Sequence, residues 1–128
     1  MAEANPHEVP VTAIMTRASI TATGDATVER LASIMTERHV GCVPIVDSQE
    51  RPIGIVTKLD LIECRDATRK TARDVMMPHA MTLQRSSTVA YASSVMSREG
   101  FHHLLVVDGE RLAGVISTFD VTCWVARL

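Results

Sequence analysis

The sequence predicts a mixed α/β (α+β) protein built from two β-α-β-β-α units, and three observations lead there. The chain repeats itself: Thr27-Val28 returns as Thr88-Val89, Met35 as Met96 and Val46-Asp47 as Val107-Asp108, each 61 positions on. The string Gly54-Ile55-Val56-Thr57-Lys58-Leu59-Asp60 has a counterpart 60 positions on, in Gly114 to Asp120. Each copy also joins a helical apolar stripe to two short apolar runs separated by turn residues. The missing residue falls in one turn, since Asp47 to Gly54 is 7 steps and Asp108 to Gly114 is 6. A loop is where a duplicated unit tolerates such a change.

Taken in order, residues 1–10 are polar, contain Pro6 and Pro10, and read as a flexible amino-terminal segment. Residues 11–70 form the first unit and residues 71–128 the second. Val11 to Thr16 opens the first unit and is matched by Arg73 to Pro78. A short extended piece near Ser19 to Thr21 is echoed by Met81 to Leu83. A helix is expected from about Thr27 to Arg38, because Val28, Leu31, Ala32 and Met35 form one apolar stripe. Its twin uses Val89, Ala92 and Met96, with Gly100 placed to end it. Strands follow at Cys42 to Val46 and Ile53 to Val56, and again at Leu104 to Val107 and Leu112 to Ile116. Their nearly continuous apolar character predicts strands covered on both faces. A second helix closes each unit. One runs from Lys58 to the Arg65–Arg69 region, and the other reaches the carboxyl terminus with Val121, Trp124, Val125 and Leu128 on one face.

Composition limits the function classes. Apolar residues make up 46% of the 128 residues but aromatics only 3%, so the core must be Val, Ile, Leu, Ala and Met. A net charge of −2 gives no electrostatic reason to expect nucleic acid or an anionic membrane as partner. No apolar run reaches the roughly 18 residues of a membrane helix, and the amino terminus lacks a signal-peptide pattern. Three scattered cysteines, Cys42, Cys64 and Cys123, fit a reduced, cytoplasmic protein. Nucleophile-elbow, P-loop and dinucleotide-glycine patterns are absent, as is zinc-ligand spacing, so neither an enzyme nor a metal site is expected.

The repeated string has an explanation that requires no ligand. A strand ending at Val56 and a helix starting near Lys58 put Thr57 at the N-cap, where its hydroxyl satisfies an unpaired amide. Asp60 then falls at the third helical position, where an anion gains from the helix dipole and a capping box closes. Ser117 and Asp120 repeat the arrangement.

Ile14-Met15-Thr16, Ala26-Thr27-Val28, Gly41 to Asp47 and Gly54 to Leu61, with their counterparts Val75-Met76-Met77-Pro78, Ser87-Thr88-Val89, His102 to Asp108 and Gly114 to Val121, resemble a tandem of CBS domains, a Bateman module. The resemblance spans nearly all of the chain beyond Val11. It implies two units packed about a pseudo-twofold axis, a homodimer, and an adenosine-containing ligand in the clefts between units. That ligand would be AMP, ADP, ATP or S-adenosylmethionine, with no cofactor required. By position it assigns ribose to Asp60 and Asp120, the phosphates to Thr57 and Ser117, and backbone contacts with the base to Ile14 and Val75. Pro44, His102 and His103 complete the expected ligand-binding set. A carboxylate can accept from both ribose hydroxyls, and hydroxyls and helix amides suit phosphate.

The copies are unequal. Gly41-Cys42 precedes one strand and His102-His103 the other, so the second unit alone carries side chains there that could be cationic near neutrality. On an alternating strand only one of the vicinal histidines can face a given cleft. Leu105 replaces Pro44, and Thr118 replaces Lys58. Lys58, Arg69 and Lys70 are second-rank phosphate contacts. The competing reading is a ligand-free module for dimerisation or partner docking through the stripe that holds Trp124. Either way, an unidentified effector protein would receive the output.

Overall fold

The computed structural model describes residues 5–18 and 20–128. The first four residues of the expected flexible segment, and Ser19 of the first expected extended piece, lie outside the described residues. After a 3-10 turn at Val11–Ala13 come β1 (Thr16–Arg17), β2 (Ala22–Thr23), α1 (Val28–Arg38), β3 (Cys42–Val46), β4 (Pro52–Thr57), α2 (Lys58–Glu63) and α3 (Ala72–Val75). The order continues with β5 (Met77–Pro78), β6 (Thr82–Gln84), α4 (Val89–Glu99), β7 (His103–Asp108), β8 (Arg111–Ser117) and α5 (Thr118–Ala126). The strands make two four-stranded sheets, β2-β3-β4-β5 and β1-β8-β7-β6. The chain divides into two compact units: a central one within residues 20–80, and a carboxy-terminal one that combines residues 5–18 with 81–128.

In the central unit, α1 starts where the Thr27 side chain accepts a hydrogen bond from the Arg30 amide at 3.0 Å. Val28, Leu31 and Met35 are buried as the stripe predicts. Ala32 is exposed, and Ile34 packs on the core instead. The helix stops at His39, which adopts the left-handed conformation (φ 55°) taken by Gly100 (φ 72°) in the other copy. Residues 43–46 of β3 are buried at consecutive positions, so both faces of the strand are shielded. The core gathers Leu31, Met35, Val43, Ile45, Val56 and Ala72. Helix α2 is shorter than expected, ending at Glu63 with extended backbone at Cys64. The following polar stretch folds back onto the start of α1: the Val28 amide donates to the Lys70 carbonyl at 3.2 Å, and Thr27 bridges Thr71.

The carboxy-terminal unit is built around Val11, Leu83, Ala92, Val95, Met96, Leu104, Val106 and Ile116. Val11 is fully buried there, so the segment read from the sequence as opening the first unit packs among residues of the second half. Residues 6–10 also differ from the flexible segment expected. The first amides of α4 lack intrahelical acceptors, and Val89 and Ala90 find theirs at the Val9 and Pro6 carbonyls, at 2.8 and 2.9 Å. The Pro44-to-Leu105 difference has a local consequence. The Leu105 amide donates to the Met81 carbonyl at 3.1 Å, and Thr82 pairs with Leu105. Proline has no N–H to give, and β2 pairs with β3 only at Ile45 and Val46.

The fourth strand of each sheet comes from the other half of the sequence. Strand β1 runs antiparallel to β8, with Thr16 opposite Val115 and Arg17 opposite Gly114. Strand β5 runs antiparallel to β4, with Gly54 opposite Pro78 and Ile55 opposite Met77. Both glycines lie under these strands. A Cβ on Gly114 would sit 2.6 Å from the Met15 sulfur and 2.7 Å from the Thr16 carbonyl oxygen. On Gly54 it would sit 2.6 Å from the Met76 sulfur and 2.8 Å from the Met77 carbonyl oxygen. A thioether can swing away, but a backbone oxygen held in a ladder cannot. Gly54→Ala and Gly114→Ala should each lower stability by about 1–3 kcal/mol in urea unfolding. Gly41→Ala, whose Cβ meets nothing within 4 Å, should change it by less than about 0.5 kcal/mol. Equal effects at all three positions would contradict the packing role of Gly54 and Gly114.

Candidate functional site

Each copy of the repeated string folds as a strand, a cap and a helix start. Thr57 is the N-cap of α2: its amide donates to Asp60 Oδ2 at 2.7 Å and its hydroxyl to the same oxygen at 3.0 Å. The Asp60 amide approaches Thr57 Oγ1 at 3.4 Å. At α5 the Ser117 amide donates to Asp120 Oδ2 at 2.8 Å, and the Asp120 amide donates to Ser117 Oγ at 3.1 Å. Both are capping boxes, half-buried, in the form the sequence predicts. In both, Oδ2 carries the bonds, and among the described residues Oδ1 of Asp60 and of Asp120 keeps its capacity to accept.

A third box went unread in the sequence. The Thr71 amide and hydroxyl donate to Asp74 Oδ2 at 2.8 and 3.1 Å, starting α3. Its signal, Thr71-Ala72-Arg73-Asp74, has the same spacing as the other two. These bonds and the nearby Lys70 and Arg73 hold the Asp74 carboxyl below its usual range.

Ile14 and Val75 lie in the units opposite to those their sequence positions suggest. Ile14 packs on the carboxy-terminal core, which contains Ile116, and Val75 packs on the central core, which contains Val56. Ile14 and Val75 stand just before β1 and β5, which run alongside β8 and β4, the strands that end at Ser117 and Thr57. One set is therefore Thr57, Asp60 and Val75, with Pro44 buried in β3 opposite Ile55. The other is Ser117, Asp120 and Ile14.

The histidines part company. His103 lies directly across the β7–β8 ladder from Ser117, as Cys42 lies across from Thr57. Burial pushes the His103 imidazole below its ordinary value, His102 pushes the same way, and Asp120 pulls it back up. His102 is exposed and lines a groove of about 360 Å³ between α4 and α5, with Met96, Thr118 and Val121. Of the two side chains that could be cationic, His103 is a half-buried ring pushed towards its neutral form and His102 a ring on an outer groove. Lys58 lines the equivalent groove of about 510 Å³ between α1 and α2, with Met35, His39 and Leu61. Among the described residues, no group of three or more His, Cys, Asp or Glu could hold a metal ion. No helix among the described residues is long and apolar enough to cross a membrane.

Comparison with known proteins adds a family match. The model of the CBS domain matches residues 11–66 and again 72–127. L-aspartate semialdehyde sulfurtransferase of Methanocaldococcus jannaschii is 26% identical over 94% of this chain, which spans 25% of that protein. An uncharacterised protein of Methanopyrus kandleri is 29% identical over 88% of this chain, which spans 61% of its length. Among solved structures, the CBS domain pair of protein MJ0100, in complex with 5-methylthioadenosine and S-adenosyl-L-methionine, superposes with a TM-score of 0.86 at 23% identity, covering 93% of this chain and 97% of that one. CBSX2 in complex with AMP gives a TM-score of 0.82 at 20% identity, with the same coverage.

Two outcomes follow from the caps and the buried ring. Thr57→Ala and Ser117→Ala should each destabilise the chain by about 1 kcal/mol in urea unfolding, the usual effect of losing a hydroxyl cap; no loss would mean the boxes contribute nothing to stability. Folding depresses His103, so the unfolded chain binds its proton first. Its contribution to stability is complete above the ordinary histidine value of about 6.5 and is lost as pH falls through that value towards the depressed one. Urea unfolding at about pH 7.5 and about pH 5.5 should show a smaller acid loss in His103→Gln than in the unsubstituted chain. An unchanged loss would contradict the assignment.

Proposed function

This chain belongs to the CBS-domain family, and on that premise we propose that it is a regulatory module, not an enzyme, that binds an adenosine-containing ligand. The observation that carries this reading is the pair of half-buried capping boxes at Thr57–Asp60 and Ser117–Asp120. Each keeps one carboxylate oxygen able to accept. Asp60 and Asp120 would each accept hydrogen bonds from ribose hydroxyls through Oδ1, while Oδ2 stays with the cap. Thr57 and Ser117 would flank the 5′ substituent. The backbones at Val75 and Ile14, just before the short strands that flank β4 and β8, would meet the base. Two CBS-pair structures of the same fold carry AMP, or 5-methylthioadenosine with S-adenosyl-L-methionine, and this supports an adenosyl ligand here.

Docking is the second reading, favoured by exposed apolar side chains on the second helices and just past the end of α5. Ile62 is 78% exposed, Phe119 72% and Leu128 67%. Of the stripe expected on α5, Val121 packs against the core and Val125 stays exposed. A second copy of the chain or an effector protein in the cytoplasm would cover these residues.

Thermal denaturation against AMP, ADP, ATP, S-adenosylmethionine and NAD separates the two readings. A bound ligand at about a hundred times its dissociation constant adds about 2.7 kcal/mol, a rise of several degrees for a domain of this size. Asp60→Ala and Asp120→Ala should each remove the part of the shift that belongs to its own cap. Absence of a shift with every compound would favour docking instead.

A further inference from the structure

A methionine stands directly before each of the two short strands, Met15 before β1 and Met76 before β5. They are 61 positions apart, the offset of the repeat. Their sulfurs rest over Gly114 and Gly54, each 2.6 Å from the place a Cβ would take. Both side chains are partly buried, Met15 against the carboxy-terminal core and Met76 against the central one. The other described methionines are placed differently. Met35 and Met96 are 4% exposed within the cores, whereas Met77 at 46% and Met81 at 41% lie at the surface. An oxygen added to a surface sulfur meets water. At Met15 or Met76 it turns an apolar pin into a polar acceptor. The backbone atom that crowds the same Cβ position is also an acceptor, the Thr16 carbonyl oxygen at 2.7 Å or the Met77 carbonyl oxygen at 2.8 Å. Burying an acceptor without a donor is costly, so the oxidised side chain leaves its seat on the glycine. With two residues each, β1 and β5 have few ladder bonds to hold them once that cover is gone.

We propose that Met15 and Met76 are oxidation sites through which a hydroperoxide loosens β1 and β5, one methionine for each unit. With hydrogen peroxide, the sulfur attacks one oxygen. An S–O bond forms, the O–O bond breaks, and the departing hydroxide takes the transferred oxygen's proton and leaves as water. Sulfur gives up two electrons and the peroxide takes them. A methionine sulfoxide reductase reverses the step. Ile14 and Val75 adjoin these methionines in the chain, so the backbone proposed for the base would move with them. The loosening itself requires no ligand.

The test uses the full chain with Met77→Leu and Met81→Leu, which removes the surface sulfurs, treated with hydrogen peroxide and mapped by mass spectrometry of its peptides. Met15 and Met76 should be oxidised well before Met35 and Met96. Amide hydrogen exchange across the β1–β8 and β5–β4 pairs should then speed up about tenfold, and the urea midpoint should fall. Methionine sulfoxide reductase should restore both. Leucine keeps the volume and apolar character of methionine, so adding Met15→Leu should protect β1 alone and adding Met76→Leu should protect β5 alone. The chain with all four leucines retains Cys42, Cys64 and Cys123, so it also reports what thiol oxidation does, and peroxide should leave its exchange rates and midpoint unchanged. Oxidation of Met15 and Met76 only as slowly as Met35 and Met96 would overturn the proposal. So would oxidation at both sites with no change in exchange at β1 and β5, or an equal loss of stability in the four-leucine chain.

Discussion

Close backbone approach at Gly54 and Gly114 is the constraint on which the two sheets depend. Each glycine lets a two-residue strand lie across the last long strand of its unit, with a methionine sulfur where a Cβ would otherwise stand. The strand that lies there is supplied by the other half of the sequence. This exchange puts Val11 in the core of the carboxy-terminal unit and Ala72 in that of the central unit. It also places Ile14 in the unit that holds Ser117, and Val75 in the unit that holds Thr57. The glycine that opens each repeated string and the aspartate that ends it therefore act on one neighbourhood: the first admits the strand, the second locks the helix start beside it.

The hydroxyl–acid boxes serve structure first. Thr27 and Thr88 cap α1 and α4 with a hydroxyl alone, accepting from the Arg30 and Tyr91 amides. A carboxylate is therefore not needed to start a helix in this protein. It is present at α2, α3 and α5, and α3 shows that the box can serve as a short helical start between two segments of one unit. What sets Asp60 and Asp120 apart from Asp74 is their place just past the ends of the long strands β4 and β8, and their half-burial. A carboxylate that already caps a helix is held in one orientation before any ligand arrives, so binding would need little reorganisation.

Much of this was legible in the sequence, and the parts that were not have physical reasons. The long apolar runs placed β3 to its end residues and β4, β7 and β8 to within about one residue, because covered strands leave a continuous pattern. The Thr57 and Ser117 caps followed from spacing alone. Strands β1 and β5 have two residues each, too few for any period to register. Their partners lie far along the chain, so the exchange of Ile14 and Val75 between units had no local signal. Helix α3 could have been found from Thr71-Ala72-Arg73-Asp74, the same box spacing read at the other two caps. The early end of α2 at Glu63 left no mark in a stretch that stays polar through Lys70. For the histidines, alternation along the strand separated the pair, but the downward push on His103 comes mainly from burial, which residue order does not disclose.

The claim that the two boxes are also ligand sites is tested most directly by amide chemical shifts during titration with 5′-methylthioadenosine and AMP. Thr57, Asp60, Ser117 and Asp120 should move in a saturable way. Thr27, Arg30, Thr88 and Tyr91, which form the caps without an acid, should stay in place. Movement at neither box, or equal movement at all the caps, would contradict a ligand role for Asp60 and Asp120 and leave them as helix starts only.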